Sequence, residues 1–465
     1  MRRNWRRVGF GAVAERFARG VGRLSRVLRI GAGTTVPGRV IDALDQDFVS
    51  RRAGALPSGI VVVSGTNGKT TTASMLQSIL ASEGMEVVAN RSGANLASGV
   101  ASAFLAAPHG AEIGVFEIDE AALPKLVPRL RPRMLVFTNV FRDQLDRFAE
   151  PERVAGMLRE AADRAPQGCT IVANADDVQL WAALEDLHPI GFGVVGPPAE
   201  DAAGADAAGA DAAGADAEPQ LCPRCGVPLT FVRQTIAGLG AAKCRACHWR
   251  SGRPDHVASV VSLGGLEAQV LEIDGELVTL PMGGIHNAYN AAAAVAAASI
   301  LGIKVFRSAC ALEEFEARFG RSEEFEFEGR TLWLALAKNP AGATALIDEI
   351  ANDPRVGAVV VGINDKHADG RDISWIWDAN FEALAGLPIP FVASGTRSRD
   401  TAVRLRYAGA RTILTEDDPL LAIRAAVAGS APDRVVVVLA TYTAILATRT
   451  ALIGHRSGRV EDVPA

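Results

Sequence analysis

The sequence lacks any apolar run long enough to cross a bilayer. A membrane-spanning helix needs about 20 consecutive, mostly apolar residues, and no stretch of the 465 residues meets this requirement. The N-terminus has paired arginines but lacks the apolar core of a signal peptide. These two absences predict a cytoplasmic protein without a transmembrane segment.

The chain also lacks a strong net charge, although its charges are unevenly distributed. The formal net charge is −5, so nothing global indicates a nucleic-acid partner, and we expect none. The first 30 residues nevertheless carry nine arginines and one acid, Glu15. A basic helix with apolar residues at helical spacing is typical of membrane-surface elements. We predict that residues 1–45 form a basic helical segment, which either contacts the inner face of the plasma membrane or packs on the protein body or a partner.

Cysteine is scarce and clustered. Four of the six cysteines form two pairs, Cys222-Pro-Arg-Cys225 and Cys244-Arg-Ala-Cys247, with 18 residues between the pairs. This spacing is typical of a zinc ribbon, in which four thiolates hold one Zn²⁺. Redox disulfides are the alternative, and they are rare in cytosolic proteins. Because four protein ligands leave no open coordination position, the Zn²⁺ should be structural.

Apolar segments of strand length alternate with helical segments in two stretches of the chain. The predicted strands are 60–64, 86–89, 112–118, 133–138, 169–174 and 189–194, then 331–336, 356–362, 389–394, 411–415 and 434–439. This alternation is typical of βαβ units with a mostly parallel sheet. The sequence therefore predicts two α/β domains, a central one at 46–320 and a Rossmann-like C-terminal one at 321–465.

Two insertions interrupt the central domain. Residues 199–220 consist of Ala-Gly-Ala-Asp-Ala repeats without a large apolar side chain, so we expect a flexible linker. The zinc ribbon follows at 221–252. After it, Gly-rich turns separate short antiparallel strands, and an Ala-rich helix covers about residues 286–301.

Residues 60–72, IVVVSGTNGKTTT, join a short apolar strand to a glycine loop and a lysine. Backbone N–H groups of such a loop, together with the next helix N-terminus, form an anion cradle. We expect Lys69 to reach the β- and γ-phosphates of ATP and Thr70 to ligate Mg²⁺. The loop is shortened, since Val63 stands where the general motif has its first glycine. The predicted nucleotide-binding residues here are Gly65, Thr66, Asn67, Gly68, Lys69, Thr70 and Thr71.

The shortened loop resembles the ATP loop of the Mur ligases and folylpolyglutamate synthases, which join an amine to a carboxylate through an acyl phosphate. Other motifs of that superfamily follow in the same order: Glu117 at a strand end, TNVFRDQLD at 138–146, NADD at 174–177 and HNAYN at 286–290. The resemblance implies a P-loop ATPase domain of the Mur ligase type.

The same resemblance implies roles for individual residues. Glu117 would hold Mg²⁺ with Thr70, the alternatives being a surface carboxylate or a metal role for Glu120. Asn287 and Asn290 would contact the adenine, or else cap their helix, and Arg321 is a weaker nucleotide-binding candidate at the domain junction. Gln144 stands where many Mur ligases have a histidine near the metal, so the number of Mg²⁺ ions stays open.

Three features narrow the resemblance to the MurT family, the ligase subunits of lipid II isoglutaminyl synthase. About sixty residues precede the ATP loop, too few for the UDP-sugar-binding domain of ordinary Mur ligases. A Cys₄ ribbon interrupts the central domain. The C-terminal domain carries LAKNPAG at 336–342 and NDKHADGRDISWIWD at 364–378. The resemblance covers nearly the whole chain apart from the linker and the last dozen residues.

Membership of that family implies a carbon–nitrogen ligase that uses glutamine as its amide donor. ATP would phosphorylate the free α-carboxylate of D-glutamate in the stem peptide of lipid II, and ammonia would then displace phosphate to give D-isoglutamine. Lys69 would offset charge on the transferring phosphoryl group. Lys69 and Glu117 are therefore the expected catalytic residues of the ligase reaction.

The ammonia requires a glutaminase. Cys169 lies in an apolar strand and Cys310 on a helical stretch, and neither has the glycine-flanked turn of a catalytic nucleophile. The resemblance names a GatD-like glutamine amidotransferase subunit, which forms a heterodimer with the ligase and has an incomplete triad. Asp372 would supply the missing acid; alternatively Asp372 only caps a turn, or Asp369 or Asp378 takes the role. Trp375 and Trp377 would either anchor that interface or belong to the core.

Two rival functions remain open from the sequence. One is an amino-acid-adding ligase of the Mur or folylpolyglutamate type. The other is a non-enzymatic, nucleotide-binding scaffold built around the zinc ribbon. The missing UDP-sugar domain argues against a Mur-type ligase, and Lys69-Thr70-Thr71 in place of Lys-Gly-Ser argues against the folate type.

Overall fold

The computed structural model describes residues 14–15, 17–18, 20, 35–90, 94–108, 110–142, 151–196, 220–316 and 321–456. Gln144, most of the basic N-terminal segment and all but the last residue of the predicted linker at 199–220 lie outside these residues. Two residues of the N-terminal segment, Ala14 and Ala18, are buried against the central domain. In the part of the chain that is described, no helix is both long enough and apolar enough to span a membrane.

Seventeen strands lie within the described ranges: β1 (Ile60–Ser64), β2 (Val87–Ala89), β3 (Ile113–Glu117), β4 (Met134–Phe137), β5 (Thr170–Asn174), β6 (Ile190–Val195), β7 (Thr230–Gln234), β8 (Gly240–Lys243), β9 (His256–Gly264), β10 (Ala268–Ile273), β11 (Glu276–Leu280), β12 (Arg321–Phe327), β13 (Arg330–Leu336), β14 (Val356–Gly362), β15 (Phe391–Ser394), β16 (Ile413–Thr415) and β17 (Val435–Ala440). The predicted parallel strands agree with these bounds to within two residues.

The helices with defined bounds are α1 (Val36–Leu44), α2 (Phe48–Ala53), α3 (Lys69–Ser82), α4 (Ala97–Ala106), α5 (Leu123–Leu130), α6 (Pro151–Asp163), α7 (Val178–Leu184), α8 (Ile285–Ile300), α9 (Val305–Glu313), α10 (Pro340–Asn352), α11 (Glu382–Ala385), α12 (Ser398–Tyr407), α13 (Pro419–Gly429) and α14 (Tyr442–Arg456). Single 3₁₀ turns lie at Glu185–Leu187 and Ser374–Trp377.

The first sheet has nine strands in the order β11-β10-β9-β6-β5-β4-β1-β3-β2. Strands β1 to β6 and β9 pair in parallel, whereas β9, β10 and β11 form the predicted antiparallel set. The chain passes from β1 to one edge, returns through β3, and continues on the other side of β1 with β4. The glycine loop after β1 therefore lies where the strand order reverses, which is the place where open α/β sheets bind ligands.

Helices cover both faces of this sheet. Along β1, Val61 and Val63 point to a core formed with α3, α8 and α9, while Ile60 and Val62 point to a core formed with α1, α2 and α4 to α7. This two-residue alternation follows from strand geometry. The α8 helix buries an almost continuous run of alanines, and these small side chains let it lie close to the sheet.

The second sheet has six strands in the order β12-β13-β17-β14-β15-β16. Strand β12 pairs antiparallel with β13, and the other neighbours are parallel. Cores on both faces again separate alternate residues, so that Val359 and Val361 face α10 and α12 while Ala358 and Val360 face α13 and α14. The α/β fold class predicted from the sequence is confirmed for both regions.

Candidate active site

The glycine loop after β1 has a shape that excludes side chains at two positions. Gly65 has φ +128° and Gly68 has φ +82°, both in the region that favours glycine. A Cβ atom on Gly65 would lie 2.4 Å from Thr138 Oγ1, and one on Gly68 would lie 2.1 Å from Asn290 Oδ1. The loop backbone is thus packed directly against the TN and HNAYN motifs.

The TN motif at the end of β4 fixes the loop by hydrogen bonds. Asn139 accepts from the N–H of Thr66 with its carbonyl at 2.9 Å and from the N–H of Asn67 with Oδ1 at 2.8 Å. Thr138 Oγ1 donates to the carbonyl of Asn67 at 2.6 Å. These bonds give the motif a physical role, which is to hold the loop in its anion-binding shape.

Lys69, the first residue of α3, is buried beneath this loop. Its Nζ donates to the carbonyls of Gly65 at 2.5 Å and Thr66 at 3.2 Å, and pairs with Glu120 Oε1 at 2.7 Å. Both partners of this ion pair are buried. The lysine is therefore held at the loop by acceptors that a phosphate group would compete with.

Thr70 and Glu117 meet beside the lysine. Thr70 Oγ1 donates to Glu117 Oε2 at 2.7 Å, and both residues are buried. Asn90, which follows β2, fixes the Glu117 backbone, since it donates to the Glu117 carbonyl at 2.7 Å and accepts from its N–H at 2.9 Å. Hydroxyl and carboxylate oxygens next to a phosphate-binding loop are the donor set that Mg²⁺ prefers, so these residues fit that ion. The sequence reasoning missed Asn90, whose signal was its place at a strand end.

A cavity of about 490 Å³ opens in front of the loop. It brings together many of the predicted site residues, namely Thr66, Asn67, Gly68, Lys69, Thr70, Thr71, Glu117, Asn287 and Asn290. The competitor Glu120 also lines it. The lining residues do not include Gly65, Asp372 or the four clustered cysteines. Arg321 begins β12, and its side chain is not among those that the structure describes.

Asn287 and Asn290 connect the start of α8 to the loop. Asn290 Oδ1 accepts from Thr72 Oγ1 at 3.2 Å, and its Nδ2 donates to Asn287 Oδ1 at 3.1 Å. Asn287 Nδ2 in turn donates to the carbonyl of Gly283 at 2.7 Å. Both amides are buried and internally bonded, and their contact with adenine stays a prediction.

The C-terminal domain closes the cavity through the start of α10. Asn339 and Asn67 form a reciprocal amide pair, with N···O distances of 2.9 and 3.2 Å. Asn339 Oδ1 also accepts from the N–H of Gly342 at 2.9 Å and so caps α10. Lys338 Nζ donates to the Thr66 carbonyl at 3.4 Å. The sequence reasoning used the LAKNPAG segment only for its family resemblance and missed this contact.

The NADD motif holds two fully buried carboxyl groups. Asp177 accepts from the N–H of Val140 at 2.6 Å and from the N–H of Leu180 at 3.0 Å, the latter as the cap of α7. Burial raises the pKa of Asp177 to about 6. Asp176 accepts from the N–H of Val194, and burial raises its pKa as well. Neither Asp176 nor Asp177 is among the residues that line the cavity.

The four cysteines of the two CxxC pairs cluster at one end of the β7–β8 hairpin. Their Sγ atoms all lie within 4.8 Å of one another, with Cys222–Cys247 at 3.5 Å and Cys225–Cys244 at 3.4 Å. Four thiolates about 2.3 Å from a tetrahedral Zn²⁺ would be about 3.8 Å apart, so this cluster could hold a metal ion. The N–H of Cys247 donates to Cys244 Sγ at 3.5 Å.

The DGRDISWIWD segment lies after β14. Asp372 is half-buried, and its Oδ1 accepts from the N–H of Ser374 at 2.8 Å, so the turn cap considered as an alternative does exist. Asp369 is buried and bonds both the N–H and the hydroxyl of Thr443 at the start of α14. Asp378 is exposed.

The two tryptophans of this segment have different environments. Trp375 is buried in the core of the second sheet, whereas Trp377 is half exposed and forms an edge contact with the exposed ring of Tyr407, with centroids 5.6 Å apart. The core interpretation thus applies to Trp375 and leaves Trp377 at the surface.

Matches to family models and relatives agree with this site. The family model described as "Mur ligase middle domain" matches residues 63–211. The model described as "MurT ligase C-terminal" matches residues 336–445. The chain is 35% identical over 443 residues to "Lipid II isoglutaminyl synthase (glutamine-hydrolyzing) subunit MurT" of Streptococcus pneumoniae, covering 93% of this chain and 95% of that protein. It is 30% identical to the subunit of the same name from Staphylococcus aureus (strain COL), covering 87% and 88%.

Solved structures show the same fold. A pseudomurein peptide ligase type C from Methanothermus fervidus has a TM-score of 0.65 at 23% identity, with 86% of this chain and 79% of that chain covered. MurF ligase from Thermotoga maritima in complex with ADP has a TM-score of 0.63 at 16% identity, with 91% and 85% covered. At these identities the likeness bears on the fold alone.

Proposed function

This chain belongs to the MurT family, and we propose that it is the ligase subunit of a glutamine-hydrolysing lipid II isoglutaminyl synthase. It would use ATP to convert the α-carboxylate of D-glutamate in the lipid II stem peptide into an amide. The observation that carries the proposal is the buried cluster of Lys69, Thr70 and Glu117 at the glycine loop, in a cavity that both α/β regions line. The family relationship supplies the substrate class.

The residues of the loop suit phosphoryl transfer to a carboxylate. Lys69 would leave Glu120 and the loop carbonyls to offset charge on the transferring phosphoryl group, and the loop amides and the α3 N-terminus would bind the phosphates. Thr70 and Glu117 would hold Mg²⁺, which, when bound, neutralises phosphate charge and orients the reacting oxygens. The reaction would give an acyl phosphate and ADP, and ammonia would then release phosphate as the amide forms.

The C-terminal region contributes to the same cavity. Gly342, in the first turn of α10, lines the cavity, and a Cβ atom at this position would lie 3.8 Å from Asn67 Nδ2. Asn339 fixes this helix start against the loop. We propose that ATP binding and docking of the second α/β region are coupled through this contact.

The ammonia would come from a partner subunit. The relatives are named as subunits of a glutamine-hydrolysing enzyme, and we propose that the partner is a GatD-like glutamine amidotransferase. Burial raises the pKa of the Cys169 thiol to about 11, which keeps that thiol protonated at neutral pH and argues against a nucleophilic role. Cys310 lies on the exposed side of α9.

We propose that Asp372 completes the catalytic triad of this partner. A carboxylate has two oxygens, and the Ser374 turn uses one of them. Asp369 is a weaker candidate because its carboxylate accepts from the N–H and hydroxyl of Thr443 at the start of α14 and from the N–H of Lys366. Trp377, five residues after Asp372, forms an exposed ring pair with Tyr407 of α12, which suits an interface anchor.

Lipid II is anchored in the membrane, so the enzyme would work at the cytoplasmic face of the plasma membrane. The burial of Ala14 and Ala18 supports packing of part of the N-terminal segment on the body. The proposal therefore needs only a peripheral contact with the membrane.

Amidation can be measured directly. The purified chain would be incubated with ATP, Mg²⁺, ammonium and lipid II, and the product examined by mass spectrometry with and without a GatD-like protein and glutamine. Replacement of one carboxyl OH by NH₂, together with ADP release, is the expected result. Asp372→Asn should abolish the glutamine-driven reaction and leave the ammonium-driven reaction intact. Absence of ADP formation with every form of lipid II would overturn the ligase proposal.

A further inference from the structure

The turn of the ribbon hairpin reaches into the nucleotide cavity. Residues 235–239 join β7 to β8, and three of them, Ile236, Ala237 and Leu239, line the cavity. They do so together with Met282 and Tyr289 at the α8 side. We call residues 235–239 the ribbon tip.

Internal bonds give the ribbon tip a fixed shape. The N–H of Thr235 donates to the Leu239 carbonyl at 2.8 Å, and the N–H of Leu239 donates to the Ile236 carbonyl at 2.9 Å. Ala237 and Gly238 adopt positive φ angles of +49° and +77° to close the turn. The apolar side chains of the ribbon tip are therefore presented in one arrangement.

Polar contacts also attach the ribbon tip to the first α/β region. The Thr235 hydroxyl lies 2.7 Å from the Tyr289 hydroxyl, which donates to Asp176 Oδ2 at 2.9 Å. Arg233 Nη2 pairs with Asp176 Oδ1 at 2.5 Å, and the N–H of Gly240 donates to the Asp176 carbonyl at 2.8 Å. Asp176 is completely buried, so the arginine of the hairpin supplies the countercharge of a buried carboxylate.

The other end of the hairpin carries the four cysteines. Cys222, Cys244 and Trp249 pack with Ala242 and with Val178 of α7 in a small separate core. Strands of four and five residues separate the two ends, which is about 15 Å of paired backbone. A metal ion at the cysteines would, when bound, fix the base of this hairpin.

The apolar wall that the ribbon tip supplies suits the base of a nucleotide. The glycine loop and Lys69, which suit the phosphates, line the same cavity. Ile236, Leu239 and Met282 offer apolar contacts of the kind that purine rings make in binding sites. The cavity therefore offers both a phosphate-binding loop and apolar surface, and the ribbon supplies part of the apolar surface.

We propose that the ribbon tip is the base-binding wall of the ATP site, so that the metal-bound state of the four cysteines sets the affinity for adenine nucleotides. This inference rests on the proposed function, because it requires that the cavity binds ATP. It assigns the ribbon a positioning role in the ligase reaction, in place of a purely stabilising one.

The test compares ADP with pyrophosphate, which lacks the base. Binding of each to the full chain in the presence of Mg²⁺ would be measured by calorimetry for the wild type, Thr235→Val, and Cys247→Ser. Thr235→Val removes one buried hydrogen bond at the ribbon tip and should weaken ADP binding about two- to tenfold. Pyrophosphate binding should stay unchanged, because the glycine loop is not altered.

A metal-content measurement accompanies each protein. Cys247→Ser should lose the bound metal and weaken ADP binding at least as much as Thr235→Val does. Removing the metal from the wild type with a chelator should weaken ADP binding. Adding Zn²⁺ back should restore it. Val232→Ala is the matched control, since Val232 lies on β7 with 69% of its surface exposed. It should bind ADP as the wild type does.

Three outcomes separate the possibilities. Equal ADP affinity of the wild type, Thr235→Val and the metal-free protein would overturn the inference and leave the ligase proposal intact. Equal losses for ADP and pyrophosphate would also overturn it, because they would indicate general loosening of the fold. If the wild type bound neither ligand, the ligase proposal itself would fail.

Discussion

The amide pair between Asn67 and Asn339 offers a quantitative test of how the two α/β regions work together. Asn67→Ala removes both side-chain hydrogen bonds of the pair, at 2.9 and 3.2 Å. The backbone N–H and carbonyl of Asn67 keep their bonds to Thr138 and Asn139. The variant should therefore preserve the loop shape and lose only the contact with α10.

The expected size of the effect follows from the bonds removed. A neutral hydrogen bond contributes about 0.5–1.5 kcal/mol net, so the pair should contribute about 1–3 kcal/mol. Asn339→Ala also removes the cap on α10, which should cost about 1 kcal/mol more. If the paired arrangement is the one that uses ATP, Asn67→Ala should lower kcat/KM for ATP about 5- to 150-fold.

A double-mutant cycle isolates the pair. The value of kcat/KM for ATP in the ammonium-driven reaction would be measured for Asn67→Ala, Asn339→Ala and the double variant. The double variant should be less impaired than the sum of the two singles, by about 1–3 kcal/mol. Asn352→Ala, at the exposed far end of α10, is the control and should have no effect. Additivity within about 0.5 kcal/mol would show that the pair does not form in the active enzyme.

Three further predictions concern other residues. Glu117→Gln should lower ammonium-driven ADP formation on the order of 100-fold, because a neutral amide binds Mg²⁺ weakly, with partial recovery at high Mg²⁺. Asp177→Asn should lower the free energy of unfolding by about 1–3 kcal/mol, since its NH₂ would face a backbone N–H. Burial raises the pKa of Asp177 from 3.8 to about 6, so the native state binds this proton more tightly and the wild type loses stability as pH rises through that window. In urea unfolding, the difference in free energy of unfolding between the wild type and Asp177→Asn should therefore become smaller between about pH 4 and pH 6. Trp377→Ala should weaken binding of the GatD-like subunit by more than about 2 kcal/mol in a pull-down titration, and unchanged affinity would exclude this surface.

The fold was predictable because its information is local. The central strands of the parallel sheets are runs of apolar residues of strand length, and runs such as β1 and β14 are buried on both faces. Such runs identify themselves without knowledge of their neighbours. The glycine loop was predictable for a similar reason, since its spacing of glycine, lysine and threonine lies within a few residues.

The parts of the site that the sequence reasoning missed depend on distant positions. Asn67 and Asn339 lie 272 positions apart, and Thr235 and Tyr289 lie 54 apart. No local periodicity links such residues, so their pairing follows only from the packing of whole domains. Asn90 was missed for the same reason, because its partner Glu117 lies on a neighbouring strand.

The segment after β14 connects the nucleotide cavity to the surface that we assign to the partner subunit. Ala368 and Tyr442 line the cavity, and Asp369 joins this segment to the start of α14 through Thr443. Three residues after Asp369 stands Asp372, the proposed acid of the partner triad. The chain between the two sites is thus a short segment with a buried anchor in the middle. Asp369 is therefore the residue through which a displacement of the cavity wall would reach Asp372.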